Sequence, residues 1–348
     1  MKFNKLTSAL MICAAIGVVS LPVSTAFAAP DAAKIAERKA RKSQAVGEKV
    51  GKAIGKAYEL YGANQIAEAI AILEPLEPTN AFDKAYLARF LGSLYVEKNP
   101  EKAIKYLKEA IKPDILSFTD QAAALRNLAD LSIMAKKYQD AIGYYNKWLD
   151  FTGELDPNVE MRIANCFYEM KQYNKVIAPA DRAIAHFKEP KKEPYIMKYA
   201  SYYELKQTKK VIEVLEEAVV IFPKEKTFWV QLGNFYSADE QFAKALAVID
   251  MAYKQGYLTT ENEIKLLANL YNNNNVPYKA AATLEKHLKS GLVKKDRAIL
   301  MSIASSYNSA REFEKAAAFF GQAAQLSSEG DIYRRQGNAY LMANKNAD

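Results

Sequence analysis

The chain has 348 residues, half of them hydrophobic, and a formal net charge of +8. This composition excludes a disordered chain and predicts a large core. The positive charge is concentrated near the N-terminus: residues 31–52 hold seven basic and three acidic side chains. The remaining body is close to neutral and has no basic stripe interleaved with aromatic residues, which argues against nucleic-acid binding.

The first 28 residues have the pattern of a secretory signal peptide. Lys2 and Lys5 precede a mostly apolar run over residues 6–23, and Ala26-Phe27-Ala28 is a small-x-small cleavage sequence. This pattern predicts cleavage after Ala28 and a periplasmic protein. An uncleaved membrane anchor is the alternative, although Pro22 interrupts the apolar run.

Residues 29–45 form a basic leader segment rich in Ala, Lys, Arg and Glu. That composition predicts a helix. Two hypotheses stay open for it. It is either a solvated leader helix or a basic arm for an anionic membrane surface or an acidic partner.

The most regular stretch lies at residues 228–253, FWVQLGNFYSADEQFAKALAVIDMAY. Helical spacing places Trp229, Leu232 and Tyr236 on one face of a first helix. Gly233 leaves room for a second helix to approach, and Ala245 allows the two backbones to come close. The stretch therefore predicts a helix–turn–helix unit.

The same unit recurs along the chain, with the small residue of each first helix at intervals of 33–37 residues. The series is Ala57, Gly92, Ala129, Ala164, Ala200, Gly233, Ala268, Ala304 and Gly337. The pattern and its period are similar to those of tetratricopeptide repeats (TPRs). We therefore predict an all-α TPR α-solenoid over residues 46–348. It would be a right-handed superhelix of about eight repeats plus a partial ninth.

Two features interrupt this regularity. Pro179 lies inside a predicted second helix and should bend or loosen it. The loop over residues 187–195, with its two prolines, is the candidate hinge.

The last repeat is incomplete, because its first helix ends just before Asp348. Two interpretations stay open for that helix: a terminal cap, or a shortened chain.

The sequence offers little catalytic chemistry. His186 and His287 both fall on predicted second helices and are interpreted as structural. Cys166 is predicted to be a packed apolar thiol. Catalytic, phosphate-binding and metal-binding motifs are absent from the sequence. We therefore predict a protein that is not an enzyme, with no cofactor and no metal site.

The residue after each small residue is expected to point into the groove formed by the first helices. These positions are almost all Asn, Ser or Asp, and several basic residues lie four positions earlier on the same face. The predicted groove residues are Arg89, Ser93, Arg126, Asp130, Asn165, Ser201, Asn234, Lys265, Asn269, Ser305, Arg334 and Asn338.

An amide side chain offers both donors and an acceptor, so a row of them suits the backbone of an extended peptide. The hypothesis is a groove that binds a protein partner, with each basic residue paired to the polar residue four positions on. The competing interpretation is that these polar residues only face water.

Several segments resemble a narrower family. They are RKSQAVGEKVGKAIGKAYELY, AIKYLKEAIKPDILSFTDQAAALRNLADL, IAPADRAIA and MAYKQGYL. They look like the periplasmic TPR proteins that accompany TonB energy-transduction systems. The resemblance implies an accessory with TonB, ExbB or ExbD as partner in the uptake of iron complexes. A general adaptor for envelope assembly, for example of outer-membrane, pilus or peptidoglycan machinery, is the alternative.

Overall fold

The computed structural model describes residues 31–326 and 330–343. Every regular element in these ranges is an α-helix, which confirms the predicted all-α solenoid. The predicted signal peptide lies outside the described residues. Within them, no helix is both long and apolar enough to cross a bilayer.

The helices follow one another along the chain with short connections. They are α1 (Ala32–Ala40), α2 (Glu48–Gly62), α3 (Ile66–Leu73), α4 (Ala81–Tyr95), α5 (Pro100–Ile111), α6 (Phe118–Met134), α7 (Tyr138–Thr152), α8 (Pro157–Glu169), α9 (Tyr173–His186), α10 (Lys192–Glu204), α11 (Thr208–Ile221), α12 (Lys226–Ala238), α13 (Phe242–Lys254), α14 (Glu261–Asn273), α15 (Pro277–Lys289), α16 (Arg297–Ser309), α17 (Phe313–Ala324) and α18 (Gly330–Met342).

Helices α2 to α17 form eight antiparallel pairs, and α18 is a ninth first helix packed on α17. In the repeat of α12 and α13, Leu232 and Tyr236 are buried. A Cβ atom on Gly233 would come within 2.3 Å of the Ile249 side chain, so only glycine permits this close approach of the two helices. Gly92 has the same role, because its Cβ would lie 2.7 Å from Leu107 Cγ.

A residue with positive φ ends the tight turn in seven of the eight pairs. These residues are Asn64, Lys136, Lys171, Lys206, Glu240, Asn275 and Arg311. In six of the seven, the turn residue follows the small residue of its first helix by seven positions. The turn therefore sets the register of each repeat.

The position of the turn residue Lys206 corrects the predicted alignment of helix α10 with the other first helices. Counting back from Lys206 places Tyr199, not Ala200, at the small-residue position. The predicted groove residue Ser201 therefore lies two positions past the small-residue position. It is fully buried, and its Oγ has no hydrogen-bond partner among the described residues. The assignment of Ser201 to the groove was wrong, and Ala200 occupies the equivalent position.

The clusters of buried apolar residues are interrupted around helix α9. One cluster of buried apolar residues ends at Cys166, and the next along the chain begins at Tyr195. Polar pairs join α9 to its neighbours: Arg182 to Glu160 on α8 at 2.7 Å, and Lys198 on α10 to Asp181 at 2.6 Å. We call this region, residues 173–204, the α9–α10 joint.

The predicted loop over residues 187–195 is shorter in the structure. Helix α10 begins at Lys192, so Pro194 lies in its first turn, where a proline is compatible with a helix. Pro179 lies inside α9, as the sequence indicated, and Pro277 occupies the first turn of α15.

The basic arm, residues 31–47, folds back onto the third repeat. Arg38 donates to the Asp150 carbonyl at 2.7 Å, and Arg41 donates to the Asp114 carbonyl at 2.7 Å. Ile35 packs against Gly153 at the end of α7. The arm is therefore held by specific contacts that neither hypothesis for the leader segment had anticipated.

Candidate peptide-binding groove

The first helices place the predicted groove residues in two groups. We define the N-terminal groove segment as Arg89, Ser93, Arg126, Asp130 and Asn165. The C-terminal groove segment is Asn234, Lys265, Asn269, Ser305, Arg334 and Asn338. The α9–α10 joint separates the two segments.

Both arginines of the N-terminal groove segment bridge neighbouring repeats. Arg89 on α4 lies 3.3 Å from a carboxylate oxygen of Asp120 in the first turn of α6. Arg126 on α6 lies 3.2 Å from Asp156, the N-cap residue of α8, and stacks on the Trp148 ring. These side chains therefore join successive first helices.

Asp130 and Ser93 of this segment also have partners within the protein, whereas the half-buried Asn165 makes no side-chain hydrogen bond to a described residue. Asp130 accepts a hydrogen bond from Tyr145 and lies 3.2 Å from Arg162 of the next repeat. Ser93 donates to the Arg89 carbonyl of its own helix at 3.1 Å. Neither Arg89 nor Arg126 pairs with the residue four positions on, so that part of the prediction was wrong. For Arg89, the Asp120 carboxylate offers a stronger partner than the Ser93 hydroxyl. The Asp130 carboxylate is held by Tyr145 and Arg162 instead of Arg126.

The C-terminal groove segment differs, because its central polar side chains have no partner within the described chain. Asn234, Asn269 and Ser305 are exposed, and their side chains make no hydrogen bond to any described residue. They follow the small residues Gly233, Ala268 and Ala304, all buried against second helices. The buried small residue thus directs its neighbour outward.

The basic members of this segment pair within their own helices. Lys265 forms an ion pair with Glu261, and hydrogen bonding to Lys265 lowers the pKa of that carboxyl. Arg334 lies 2.6 Å from Asp331. Neither pairs with Asn269 or Asn338 as predicted, because a carboxylate lies one turn earlier in each helix. Asn338 is exposed on α18.

A neutral cleft of about 420 Å³ lies beside Ser305, between α14 and α16. Its lining consists of Asn272, Asn275, Pro277, Ser302, Ser305, Ser306 and Ser309. Six of these seven side chains are amides or hydroxyls and none is charged. Asn272 and Ser306 hydrogen-bond to each other at 3.0 Å across the two helices. The cleft therefore presents neutral donors and acceptors.

Six of the seven lining residues of this cleft were not predicted as groove residues, and three of the six are Asn272, Ser302 and Ser309. Each of these three lies three or four positions from a predicted groove residue on the same helix face. An i±3 and i±4 search around Asn269 and Ser305 would have found them. Their convergence into one cleft depends on the packing of α14 against α16, which no local pattern contains.

Hydrogen bonds from tyrosines to carboxylates join successive repeats that carry the C-terminal groove segment. Tyr271 on α14 donates to Asp250 on α13, and Tyr307 on α16 donates to Glu285 on α15. Burial and the carboxylate partner raise the pKa of both phenols. Burial pulls the pKa of Asp250 upward, but hydrogen bonds from Lys254 and Tyr271 outweigh it, so the pKa is lowered.

Two of the residues predicted to be structural, Cys166 and His287, are buried or half-buried. Cys166 is fully buried, and this burial raises the pKa of its thiol to about 11. His287 lies 3.0 Å from the Tyr253 hydroxyl, and its pKa is lowered by burial and by Lys286. In the described ranges, no group of three His, Cys, Asp or Glu side chains is arranged to hold a metal ion.

Comparison with known proteins supports the repeat assignment. The sequence model of the tetratricopeptide repeat family matches residues 93–158. No curated protein sequence matches the chain.

The chain is also similar to solved structures that are distant in sequence. A tetratricopeptide repeat protein from Parabacteroides merdae is 14% identical, with a TM-score of 0.41, and the match covers 84% of this chain and 99% of that one. MamA from Desulfovibrio magneticus is 21% identical, with a TM-score of 0.38 and coverage of 49% and 94%. YrrB, described as a TPR protein with an unusual peptide-binding site, is 17% identical, with a TM-score of 0.39 and coverage of 53% and 91%.

None of these distant similarities assigns a ligand to this chain. The helix pairs, their period and the family match over residues 93–158 agree with one another. The described chain is an all-α solenoid of helix pairs, and residues 93–158 of it match the tetratricopeptide repeat family.

Proposed function

We propose that the protein is a non-enzymatic scaffold that binds an extended segment of a protein partner along its C-terminal groove segment. The observation that carries this proposal is the exposed row of Asn234, Asn269 and Ser305, whose side chains have no partner within the described chain. Exposed amides and hydroxyls at a repeat spacing match the alternating donors and acceptors of an extended backbone.

The neutral cleft beside Ser305 defines the kind of segment that fits. Its amide and hydroxyl lining offers no charge to neutralise a buried carboxylate or ammonium group. The bound segment would therefore place small neutral polar residues, such as Ser, Thr, Asn or Gly, at this cleft.

A more specific role follows from the resemblance of the four quoted segments to TonB-associated periplasmic TPR proteins. On this proposal the partner is TonB, ExbB or ExbD, and the protein assists the uptake of iron complexes. The signal-peptide pattern of residues 1–28 supports a periplasmic location, where such a partner is available.

Site-specific photo-cross-linking in cells tests the scaffold and its partner together. A photoreactive phenylalanine replaces Asn269, and a control replaces Val220, which is exposed on the second helix α11. The proposal expects a cross-linked component of the TonB system from position 269 and none from position 220. Equal cross-linking from both positions would contradict the groove, and a partner from another system would contradict the TonB role.

The alternative role, an adaptor in envelope assembly, uses the same groove. A deletion strain separates the two. Impaired growth only when iron is supplied as complexes supports the TonB role, whereas a defect independent of the iron source supports envelope assembly.

A further inference from the structure

Another cavity lies beside Arg38 of the basic arm, and none of the predicted groove residues lines it. It has a volume of about 730 Å³ and is bounded by helices α5, α6 and α7 together with Arg38 of the arm. We call it the arm-side cavity and define it by Arg38, Lys112, Gln121, Leu125, Tyr144 and Lys147. Its size lies in the range of small-molecule sites.

The floor of the arm-side cavity is apolar. Leu125 and Phe151 are buried, and Tyr144 is half-buried. A ligand with an apolar body would remove this surface from water, at about 25 cal/mol per Å².

The rim of the arm-side cavity is positively charged. The two lining carboxylates, Asp114 and Asp150, are already paired with Arg41 and Arg38 of the arm. Lys112 and Lys147 are exposed and form no ion pair with a described residue. The charge left unneutralised at the rim is therefore positive, which favours an anion.

One buried polar atom in the wall lacks a partner. Gln121 is 4% exposed, and its Nε2 donates to the Ile111 carbonyl at 3.0 Å. That contact fixes the amide, while the Oε1 atom accepts no hydrogen bond from the part of the chain that the structure describes. A buried acceptor without a donor is unfavourable by about 1–3 kcal/mol. The Oε1 atom is almost inaccessible in this structure, so a ligand N–H or O–H group would satisfy it only after a small shift of the cavity wall.

We propose that the arm-side cavity binds a small organic anion with an apolar body and an N–H or O–H group. The anionic group lies against Lys112 and Lys147, the apolar body on Leu125 and Tyr144, and the donor at Gln121 Oε1. This site is independent of the C-terminal groove segment.

Two fluorescent probes with the same aromatic ring system test each part of this proposal on the full chain. 8-Anilinonaphthalene-1-sulfonate carries an anion, whereas N-phenyl-1-naphthylamine has the same rings and N–H group without the charge. Three variants are compared with the wild type: K112Q/K147Q, Q121M and, as a control, K105Q, which removes an exposed lysine of α5 that does not line the cavity.

The expected results differ between the probes. K112Q/K147Q weakens binding of the sulfonate about tenfold and leaves the neutral probe unchanged, because only the ion pairs are lost. Q121M weakens both probes about fivefold through the lost hydrogen bond. K105Q changes neither.

Three outcomes would overturn the proposal. They are the absence of saturable sulfonate binding, equal affinity in the wild type and the lysine double variant, and an effect of K105Q as large as that of K112Q/K147Q. A thermal melt checks that Q121M folds, and the lysine variant, which changes only exposed residues, keeps the test decisive if it does not.

Discussion

The two groove segments occupy the same repeat positions but use them differently. In the N-terminal groove segment, Arg89 and Arg126 reach across to carboxylates of the following repeat. In the C-terminal groove segment, Asn234, Asn269 and Ser305 are exposed, and their side chains make no hydrogen bond to a described residue. Whether a groove residue binds a partner or stabilises the solenoid thus depends on what the next repeat presents to it.

The largest expected effect concerns a feature that the two segments share. Gly92 and Gly233 each lie where a Cβ atom would meet the second helix within 3 Å. G92A and G233A should therefore each destabilise their repeats by about 1–3 kcal/mol, measured by urea unfolding. The matched control is Gly143, whose Cβ would meet nothing within 4 Å, so G143A should stabilise its helix by about 1 kcal/mol.

A clear difference between G92A and G233A in the loss of unfolding free energy would mean that the two segments differ in their cores and not only in their groove residues. Similar losses of unfolding free energy in both variants would mean that the segments differ only at their groove residues.

The next effect distinguishes the two segments. R126A removes the contact to the α8 N-cap and the packing on Trp148, so it should destabilise the protein by about 1–2 kcal/mol. K265A, in the C-terminal groove segment, removes only an ion pair within one helix and should have a clearly smaller effect. Equal losses in urea unfolding would show that Arg126 does not join the repeats.

A smaller effect concerns the contacts behind the C-terminal groove segment. Y271F should destabilise the protein by about 1 kcal/mol at neutral pH, because the hydrogen bond to Asp250 is lost. The measurement is urea unfolding of wild type and variant across a range of pH.

The pH dependence of this effect follows from the two pKa shifts. The pKa of Asp250 is lowered in the folded protein, so its contribution is present above the unfolded value of about 4 and is lost as the pH falls below it. The pKa of Tyr271 is raised, so its contribution is lost as the pH rises above about 10. The difference between wild type and Y271F should shrink at both extremes. A constant difference would contradict the contact.

Much of the fold was predictable because it rests on local patterns. The recurring small residues, the apolar face of each first helix and the period predict the pairs, and Gly233 lies against Ile249 as expected. Helix α10 was misaligned because Tyr199 occupies its small-residue position and the small residue Ala200 lies next to it. Only the turn at Lys206 shows which register the backbone adopts.

The groove was less predictable for a physical reason. The polar character of Arg126 and Asn269 is evident in the sequence, but their partners are not. Arg126 meets Asp156, 30 residues away, through the stacking of one repeat on the next. The docking of the arm on Asp114 and Asp150 is likewise a contact between distant parts of the chain.

The most direct test of the account measures binding and stability in one pair of variants. N234A/N269A/S305A and R89A/R126A are compared by calorimetric titration with a peptide of the segment cross-linked at position 269, and by thermal melts. The first variant should weaken binding about 100-fold, for three lost hydrogen bonds, and melt like the wild type. The second should melt at a lower temperature and bind within about twofold of the wild type. Unchanged binding in the first variant, or lost binding in a folded second variant, would contradict the division of the groove.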